Sequence, residues 1–100
     1  MDTLIFLNDT QAVADFCQRH DIRFLGLFGS YARHQEKKDS DVDLLVEFKN
    51  PVTYFKLLSA EEELGKELHR KVELVTKKAL SPRIQPFVIK DLQTIYGQRS

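Results

Sequence analysis

Two short segments, LGLFGS at Leu25–Ser30 and DVDLLV at Asp41–Val46, are separated by ten residues, and this pairing decides the fold of the chain. The first segment is an apolar run that ends in a small turn, which can present backbone N–H groups to a phosphate. The second segment places two carboxylates at the start of an otherwise apolar strand. N–H groups that can bind a phosphate, placed opposite paired carboxylates, indicate a magnesium–nucleotide complex held between them.

The turn at Gly29 and Ser30 suits a phosphate because a strand that bends sharply into a helix exposes free N–H groups. Gly29 allows close approach of the backbone, and the Ser30 hydroxyl can donate to a phosphate oxygen. Arg33, one helical turn further, could reach the same anion. The alternatives are an ordinary turn with Ser30 as a helix cap, and a surface ion pair of Arg33 with Glu36 or Asp39.

Asp41 and Asp43 stand two apart on a predicted strand, so their side chains leave one face roughly 6–7 Å apart. At that distance two carboxylates repel by roughly 3 kcal/mol at an effective dielectric constant of ~20. One or two Mg²⁺ ions would relieve this repulsion and could serve nucleotidyl transfer. The alternative is that both side chains lie in solvent at the start of the strand or cap the preceding loop.

A third carboxylate would complete the metal site or accept a proton, and the sequence offers two candidates. Glu47 shares the face of Asp43 but lies about 13 Å along the strand, too far to share an ion. Glu73, between Val72 and Leu74, can lie beside Asp43 if the two strands are neighbours. We therefore predict Glu73, against the alternative that this face of the sheet is merely solvated.

The remaining pattern predicts an α/β (α+β) domain, a small sheet packed with helices, with elements in the order α-β-α-β-α-β-α. The predicted elements are a helix from Asn8–Thr10 to His20, a strand Ile22–Phe28, a short helix Ser30–Gln35, a charged loop Glu36–Ser40, a strand Asp41–Phe48, a helix Val52–Leu68, a strand Lys71–Val75 and a helical region from Ser81.

Apolar residues define the expected buried faces of the two later helical segments. The long helix should bury Phe55, Leu58, Leu64 and Leu68 near one side. The last helical region should kink or restart at Pro86 and carry Phe87, Ile89, Leu92 and Ile95.

Size and charge restrict the class of protein. One hundred residues, 42% of them hydrophobic, predict a single domain over 1–100 with one core. Fifteen basic residues balance fifteen acidic ones, so the net charge creates no field that attracts nucleic acid. Nucleic acid is therefore not the expected partner, although a weaker hypothesis would use Lys37, Lys38, His69, Arg70 and Lys71.

The sequence also predicts the setting of the protein. The N-terminal apolar stretch is too short for a signal peptide or a membrane span. Cys17 is the single cysteine, which excludes an intramolecular disulfide. We therefore expect a soluble cytoplasmic protein with no membrane partner.

Taken together, these residues make the chain resemble a minimal nucleotidyltransferase of the polymerase-beta-like superfamily over nearly its whole length. The resemblance rests on the Gly29–Ser30 turn, the ten-residue spacing, and the strands Asp41–Phe48 and Lys71–Val75. Two positions depart from the family pattern, since His34 stands where Gly is common and Glu73 where Asp is more usual.

The resemblance implies roles for the site residues. Asp41, Asp43 and Glu73 would be the catalytic and metal-binding acids, with one or two Mg²⁺ ions. The Gly29–Ser30 turn would hold the phosphates of ATP, and Arg33 would balance their charge.

The resemblance also implies a partner. Such minimal domains resemble antitoxins encoded beside a HEPN-domain ribonuclease toxin, whose tyrosine hydroxyl receives AMP from ATP. A donor site fills most of this chain, so the acceptor hydroxyl must arrive on another protein or subunit, in a hetero-oligomer with the toxin or a homo-oligomer. The alternative, motivated by Glu73, is a binding module that neutralises its partner by occlusion alone.

Overall fold

The computed structural model describes residues 3–99 of the chain. Its elements in chain order are α1 (Thr3–Leu7), α2 (Thr10–Arg19), β1 (Ile22–Phe28), β2 (Val42–Phe48), α3 (Tyr54–Leu68), β3 (Val72–Thr76), a 3₁₀ turn (Lys77–Ala79), α4 (Gln85–Asp91) and β4 (Gln93–Gly97). Within residues 3–99, no helix combines the length and the apolar character that a membrane span needs.

The four strands form one mixed sheet in the order β3-β2-β1-β4. Strand β1 pairs antiparallel with both β2 and β4, whereas β2 and β3 are parallel. The parallel pair is connected by α3, as a parallel connection requires a crossover. A mixed sheet packed with helices confirms the α+β fold expected from the sequence.

The first long helix, α2, begins where the sequence predicts. The Asp9 carboxylate accepts a hydrogen bond from the Ala12 N–H at 3.1 Å, which satisfies one of the free donors at the helix start. Val13, Phe16 and Cys17 form its buried stripe. The predicted start of the helix at Asn8–Thr10 is therefore confirmed, with Asp9 as its cap.

Helix α3 differs from its prediction at the N-terminus and along its buried face. The helix begins at Tyr54 and not at Val52, because the Thr53 hydroxyl accepts a hydrogen bond from the Lys56 N–H at 3.2 Å and caps it. Phe55, predicted to be buried, is 81% exposed. The residues that α3 buries completely are Ala60, Leu64 and Leu68.

Most buried side chains lie between the sheet and the helices α2 and α3. The core cluster includes Phe16, Leu25, Leu44 and Leu64, all fully buried. Because side chains alternate along a strand, the residues between them project to the opposite face of the sheet. The carboxylates of the predicted site belong to that second face.

The second face is covered in part by α4 and the chain that follows it. Phe24, Leu45 and Val88 are buried there, outside the main cluster. Gly26 makes this packing possible, because an added Cβ atom would lie 2.6 Å from Leu92 Cδ1.

The sequence prediction is also wrong in the C-terminal region. The chain forms the short helix α4 and then the strand β4, whereas the sequence pattern predicts helix as far as Ile95. Pro86 lies in the first turn of α4, where its missing N–H has no intrahelical partner in any case, and so begins the helix without kinking it. Ile95 and Tyr96 pack against the core from β4.

The contrast between Leu64 and Phe55 predicts the stability of two α3 variants. Leu64→Ala should lower the free energy of unfolding by about 2–5 kcal/mol, because it leaves a cavity in the core. The matched change Phe55→Ala, on the exposed side of the same helix, should alter it by no more than about 0.5 kcal/mol. Urea denaturation of both variants measures this, and equal losses would contradict the burial described for α3.

Candidate active site

The chain turns sharply at the end of β1, as the phosphate-binding hypothesis requires. Gly29 has a φ of +77°, a conformation that residues with a side chain rarely adopt. The Arg33 N–H donates to the Gly29 carbonyl oxygen at 3.2 Å, and the Gln35 N–H donates to the Ser30 carbonyl oxygen at 2.8 Å. The N–H groups of the residues between Gly29 and Arg33 do not take part in these bonds. They are therefore available to donate to a bound anion.

Residues 30–35 form hydrogen-bonded turns and not the predicted short helix. The reason is visible at His34, whose φ of +57° takes it out of the right-handed region. The same angle gives a physical basis for the Gly that the family resemblance predicts at this position. Tyr31 and Ala32 are buried, so the turn is anchored in the core.

The Asp43 carboxylate lies directly against this turn. Phe28 and Asp43 are partners in the antiparallel ladder of β1 and β2, so the end of one strand faces the start of the other. A Cβ atom on Gly29 would collide with Asp43 Oδ2. The missing side chain of Gly29 therefore leaves the space that the carboxylate occupies.

Glu73 is the neighbour of Asp43 in the parallel ladder of β2 and β3. Paired residues on adjacent strands project to the same face of a sheet. The structure thus brings the two acids together as predicted, with Glu73 exposed. Glu47, the other candidate, lies near the far end of β2 and accepts a hydrogen bond from Arg23 Nη2 at 2.6 Å.

The electrostatics of Asp43 reflect this crowding. Burial raises the pKa of the Asp43 carboxyl above its usual value, and the charges of Glu73 and Asp41 raise it further. The positive charge of Arg33 acts in the opposite direction. The ionised Asp43 is therefore held in an unfavourable environment, which a bound cation would relieve.

Asp41 lies at the open edge of the same group, with its side chain 40% exposed and Oδ2 at 4.0 Å from Lys71 Nζ. In the part of the chain that the structure describes, no three His, Cys, Asp or Glu side chains form a group that could hold a metal ion. Mg²⁺ does not require such a group, because it commonly takes one or two carboxylates together with water and substrate phosphates. The carboxylate oxygens of Asp41, Asp43 and Glu73 are donors of the type that Mg²⁺ prefers, and the assignment of these acids as its ligands stays a prediction.

Arg33 does not form the surface ion pair that was the alternative to phosphate binding, since it pairs with neither Glu36 nor Asp39. Its Nη1 lies 2.9 Å from Asp91 Oδ2 at the end of α4, and its Nε donates to Gln35 Oε1 at 3.2 Å. The guanidinium is nevertheless close enough to lower the pKa of Asp43. Sequence reasoning missed Asp91, because no local pattern links residues 58 positions apart.

The loop between the turn and β2 is tied down at two points. The Ser40 hydroxyl accepts a hydrogen bond from the Lys37 N–H at 2.7 Å, and the Arg70 guanidinium donates to the Lys38 carbonyl oxygen. Arg70 therefore holds the loop that leads into the acidic pair. It is one of the basic residues considered for nucleic-acid binding.

The site is open and not enclosed. A cavity of about 480 Å³ runs along β3 and meets the site at Glu73, with Tyr54, Leu57 and Lys71 among its lining residues. A second cavity of about 500 Å³, lined in part by Arg23 and Lys49, lies at the other end of β2 and contains none of the predicted site residues. Asp41 and Glu73 are therefore accessible from the surface.

A glycine turn that faces acids on adjacent strands of a small mixed sheet is the arrangement that the resemblance to nucleotidyltransferases predicts. Residues 11–100 match the family Polymerase beta, Nucleotidyltransferase, and the chain belongs to that family. It is thus a nucleotidyltransferase. The roles of the individual site residues stay predictions.

The chain is similar to relatives with more specific descriptions. It is 39% identical over 75 residues to the protein adenylyltransferase MntA of Thermococcus cleftensis, covering 75% of this chain and 76% of MntA. A solved structure described as a minimal nucleotidyltransferase superposes with a TM-score of 0.77 and 31% identity over 93% of this chain and 95% of that one.

A third comparison shows the fold alone. A chain in the structure of a tri-AMPylated Shewanella oneidensis HEPN toxin in complex with its MNT antitoxin gives a TM-score of 0.67 at 18% identity. The match covers 89% of this chain and 70% of that chain.

Gly29→Ala should both destabilise the fold and weaken nucleotide binding. The positive φ strains the new residue by about 1–3 kcal/mol, and its Cβ displaces the Asp43 carboxylate. The matched change Gly65→Ala, within α3, meets only Arg70 O at 3.2 Å and should cost less. Urea denaturation and calorimetric titration with Mg²⁺ and AMP-PNP measure both effects, and unchanged binding in Gly29→Ala would contradict the assignment of the turn.

Asp43→Asn should raise the melting temperature at pH 7 by a few degrees. The raised pKa means that the protonated carboxyl stabilises the fold, and this contribution is lost as the pH rises through that pKa. The difference between variant and wild type should therefore shrink toward zero near pH 3, where both side chains are neutral.

Thermal unfolding between pH 3 and 8 measures the effect of Asp43→Asn. Asp39→Asn in the exposed loop is the control and should produce little change. A lower melting temperature for Asp43→Asn at pH 7 would contradict the crowding of carboxylates described here.

Proposed function

We propose that this nucleotidyltransferase is a Mg²⁺-dependent protein adenylyltransferase and antitoxin. It transfers AMP from ATP to a tyrosine hydroxyl of a HEPN-type ribonuclease toxin in the cytoplasm, where ATP and the RNA targets of such a toxin occur. The observation that carries this proposal is the half-buried Asp43 carboxylate. It lies beside Asp41 and Glu73 and against the Gly29 turn.

The position of Asp43 supports a metal–nucleotide complex for an energetic reason. Desolvation and two neighbouring carboxylates oppose its ionised form, and a fold keeps such a group where its function requires it. Asp41 and Asp43 would hold a divalent cation, whose charge would relieve this repulsion when it binds together with the triphosphate. The acids and the turn are then two halves of one binding site.

Each side chain has a role in this reaction. The amide groups and hydroxyl of the Gly29–Ser30 turn bind the triphosphate, and Arg33 balances its charge. Asp41 and Asp43 would hold Mg²⁺, which when bound supplies charge neutralisation for the leaving pyrophosphate. Glu73 completes that donor set or accepts the proton of the tyrosine hydroxyl. The new bond joins the tyrosine oxygen to the α-phosphorus of ATP, and the bond from that phosphorus to pyrophosphate breaks.

The choice of a protein acceptor rests on the open site and on the relatives. Glu73 is exposed and Asp41 is 40% exposed, so a tyrosine on the surface of a second protein can reach them. The MntA relative is a protein adenylyltransferase, and a protein of the same fold accompanies an AMPylated HEPN toxin. Both observations favour a toxin as acceptor over a small molecule.

The second candidate is neutralisation by occlusion, without chemistry. It is favoured by Glu73, which stands where the resemblance predicts Asp, and by the lack of three side chains among residues 3–99 that form a group able to hold a metal ion. In this case the chain would bind its toxin through the same open face but transfer nothing.

The double variant Asp41→Asn with Asp43→Asn should abolish AMP transfer and toxin neutralisation together. Loss of both carboxylates removes the proposed metal ligands and should reduce the transfer rate at least about 100-fold. The measurement is intact-protein mass spectrometry of the cognate toxin after incubation with ATP and Mg²⁺. Asp39→Asn is the matched control, because it removes an exposed loop carboxylate next to the site.

The two candidates give opposite results in this experiment. AMP adducts formed with the wild-type chain and the control, and absent with the double variant, support the transferase. If no adduct forms with intact chain, toxin, ATP and Mg²⁺, the transferase proposal fails. If the double variant protects cells from the toxin as well as wild type does, neutralisation proceeds by binding.

A further inference from the structure

Two polar contacts join the turn that follows Gly29 to the junction between α4 and β4. Asp91 Oδ2, at the last residue of α4, lies 2.9 Å from Arg33 Nη1. Gln93 Nε2, at the first residue of β4, donates to the Ala32 carbonyl oxygen at 2.9 Å. The C-terminal segment thus contacts consecutive residues of the turn, one through its side chain and one through its backbone.

The contact with Asp91 fixes the orientation of the Arg33 guanidinium. Nη1 is held by Asp91 and Nε by Gln35 Oε1, so the planar group is restrained at two points. These bonds leave the Nη2 edge of the fork for an anion. The Arg33 side chain is 46% exposed and that of Asp91 is 26% exposed, so this edge remains accessible.

We propose that Asp91 is a positioning residue that holds the Arg33 guanidinium toward the nucleotide phosphates. The inference rests on the proposed function, because it requires the turn to bind ATP. A free arginine loses side-chain freedom when it binds a ligand, whereas one that is already restrained loses less. Asp91 therefore raises nucleotide affinity, even though its negative charge competes with the phosphates for Arg33.

A double-mutant cycle tests whether Asp91 acts through Arg33. Calorimetric titration with Mg²⁺ and AMP-PNP is carried out on wild type, Asp91→Ala, Arg33→Ala and the double variant. Asp91→Ala should weaken binding about threefold to tenfold when Arg33 is present. In the Arg33→Ala background the same change should have less than about a twofold effect, since no guanidinium remains to be positioned.

Two further variants separate positioning from a general loss of structure. Asp91→Asn keeps an oxygen acceptor for Arg33 and should weaken binding less than Asp91→Ala does. Glu63→Ala removes an exposed ion pair with Arg19 Nη2 at 2.6 Å, together with a contact to His20 Nε2 at 3.1 Å, from a place outside the site. It should leave nucleotide affinity unchanged.

Each outcome has a defined meaning. Equal weakening in both backgrounds, or tighter binding by Asp91→Ala, overturns the positioning role, because Asp91 would then support only the fold or compete with the phosphates for Arg33. Absence of AMP-PNP binding by the wild-type chain overturns the proposed function and this inference with it. A loss confined to the background that retains Arg33 supports the inference.

Discussion

The close approach of the Asp43 carboxylate to the Gly29 backbone is the constraint on which the site depends. Antiparallel pairing places the end of β1 opposite the start of β2, and only a residue without Cβ leaves room for the carboxylate there. The Gly29–Ser30 turn and the acids consequently share one surface. The fully buried Leu44, Leu45 and Val46 that follow Asp43 anchor this arrangement in the core on both faces of the sheet.

Burial and like charges make the site locally unfavourable, and the rest of the fold offsets that cost. The main apolar cluster lies between the sheet and α2 and α3, on the face opposite the acids. The main apolar cluster and the crowded carboxylates are therefore segregated to the two faces of the sheet. A separation of this kind lets a small domain keep a destabilising functional group without weakening its core.

The sequence predicted those parts of the fold that local signals determine. The Asp9 cap, the strand β1 and the apolar run of β2 each carry their own pattern, and all three are present. The region after Ser81 was mispredicted because a short helix followed by a half-buried edge strand leaves apolar residues at irregular spacing. This spacing also fits one kinked helix.

The same distinction separates the predicted from the missed parts of the site. Glu73 could be placed beside Asp43 because strand pairing converts a sequence pattern into a spatial neighbour. Asp91 could not, since its contact with Arg33 depends on how α4 docks on the sheet. The segment 30–35 was predicted as a helix, but so short a segment gains little from helix formation. The positive φ of His34 ends the helical turn there.

The parallel register of β2 and β3 links the chemistry of the site to the hydrophobic core. Val72 and Leu74 are buried on either side of Glu73, so their alternation fixes which way the acid projects. A slip of one residue would turn Glu73 into the apolar interior and push both neighbours into water. Insertions or deletions that shift this register are thus restrained twice, once by the burial of Val72 and Leu74 and once by the position of Glu73 beside Asp43. Lengthening should be tolerated far better in the exposed loop that precedes Asp41.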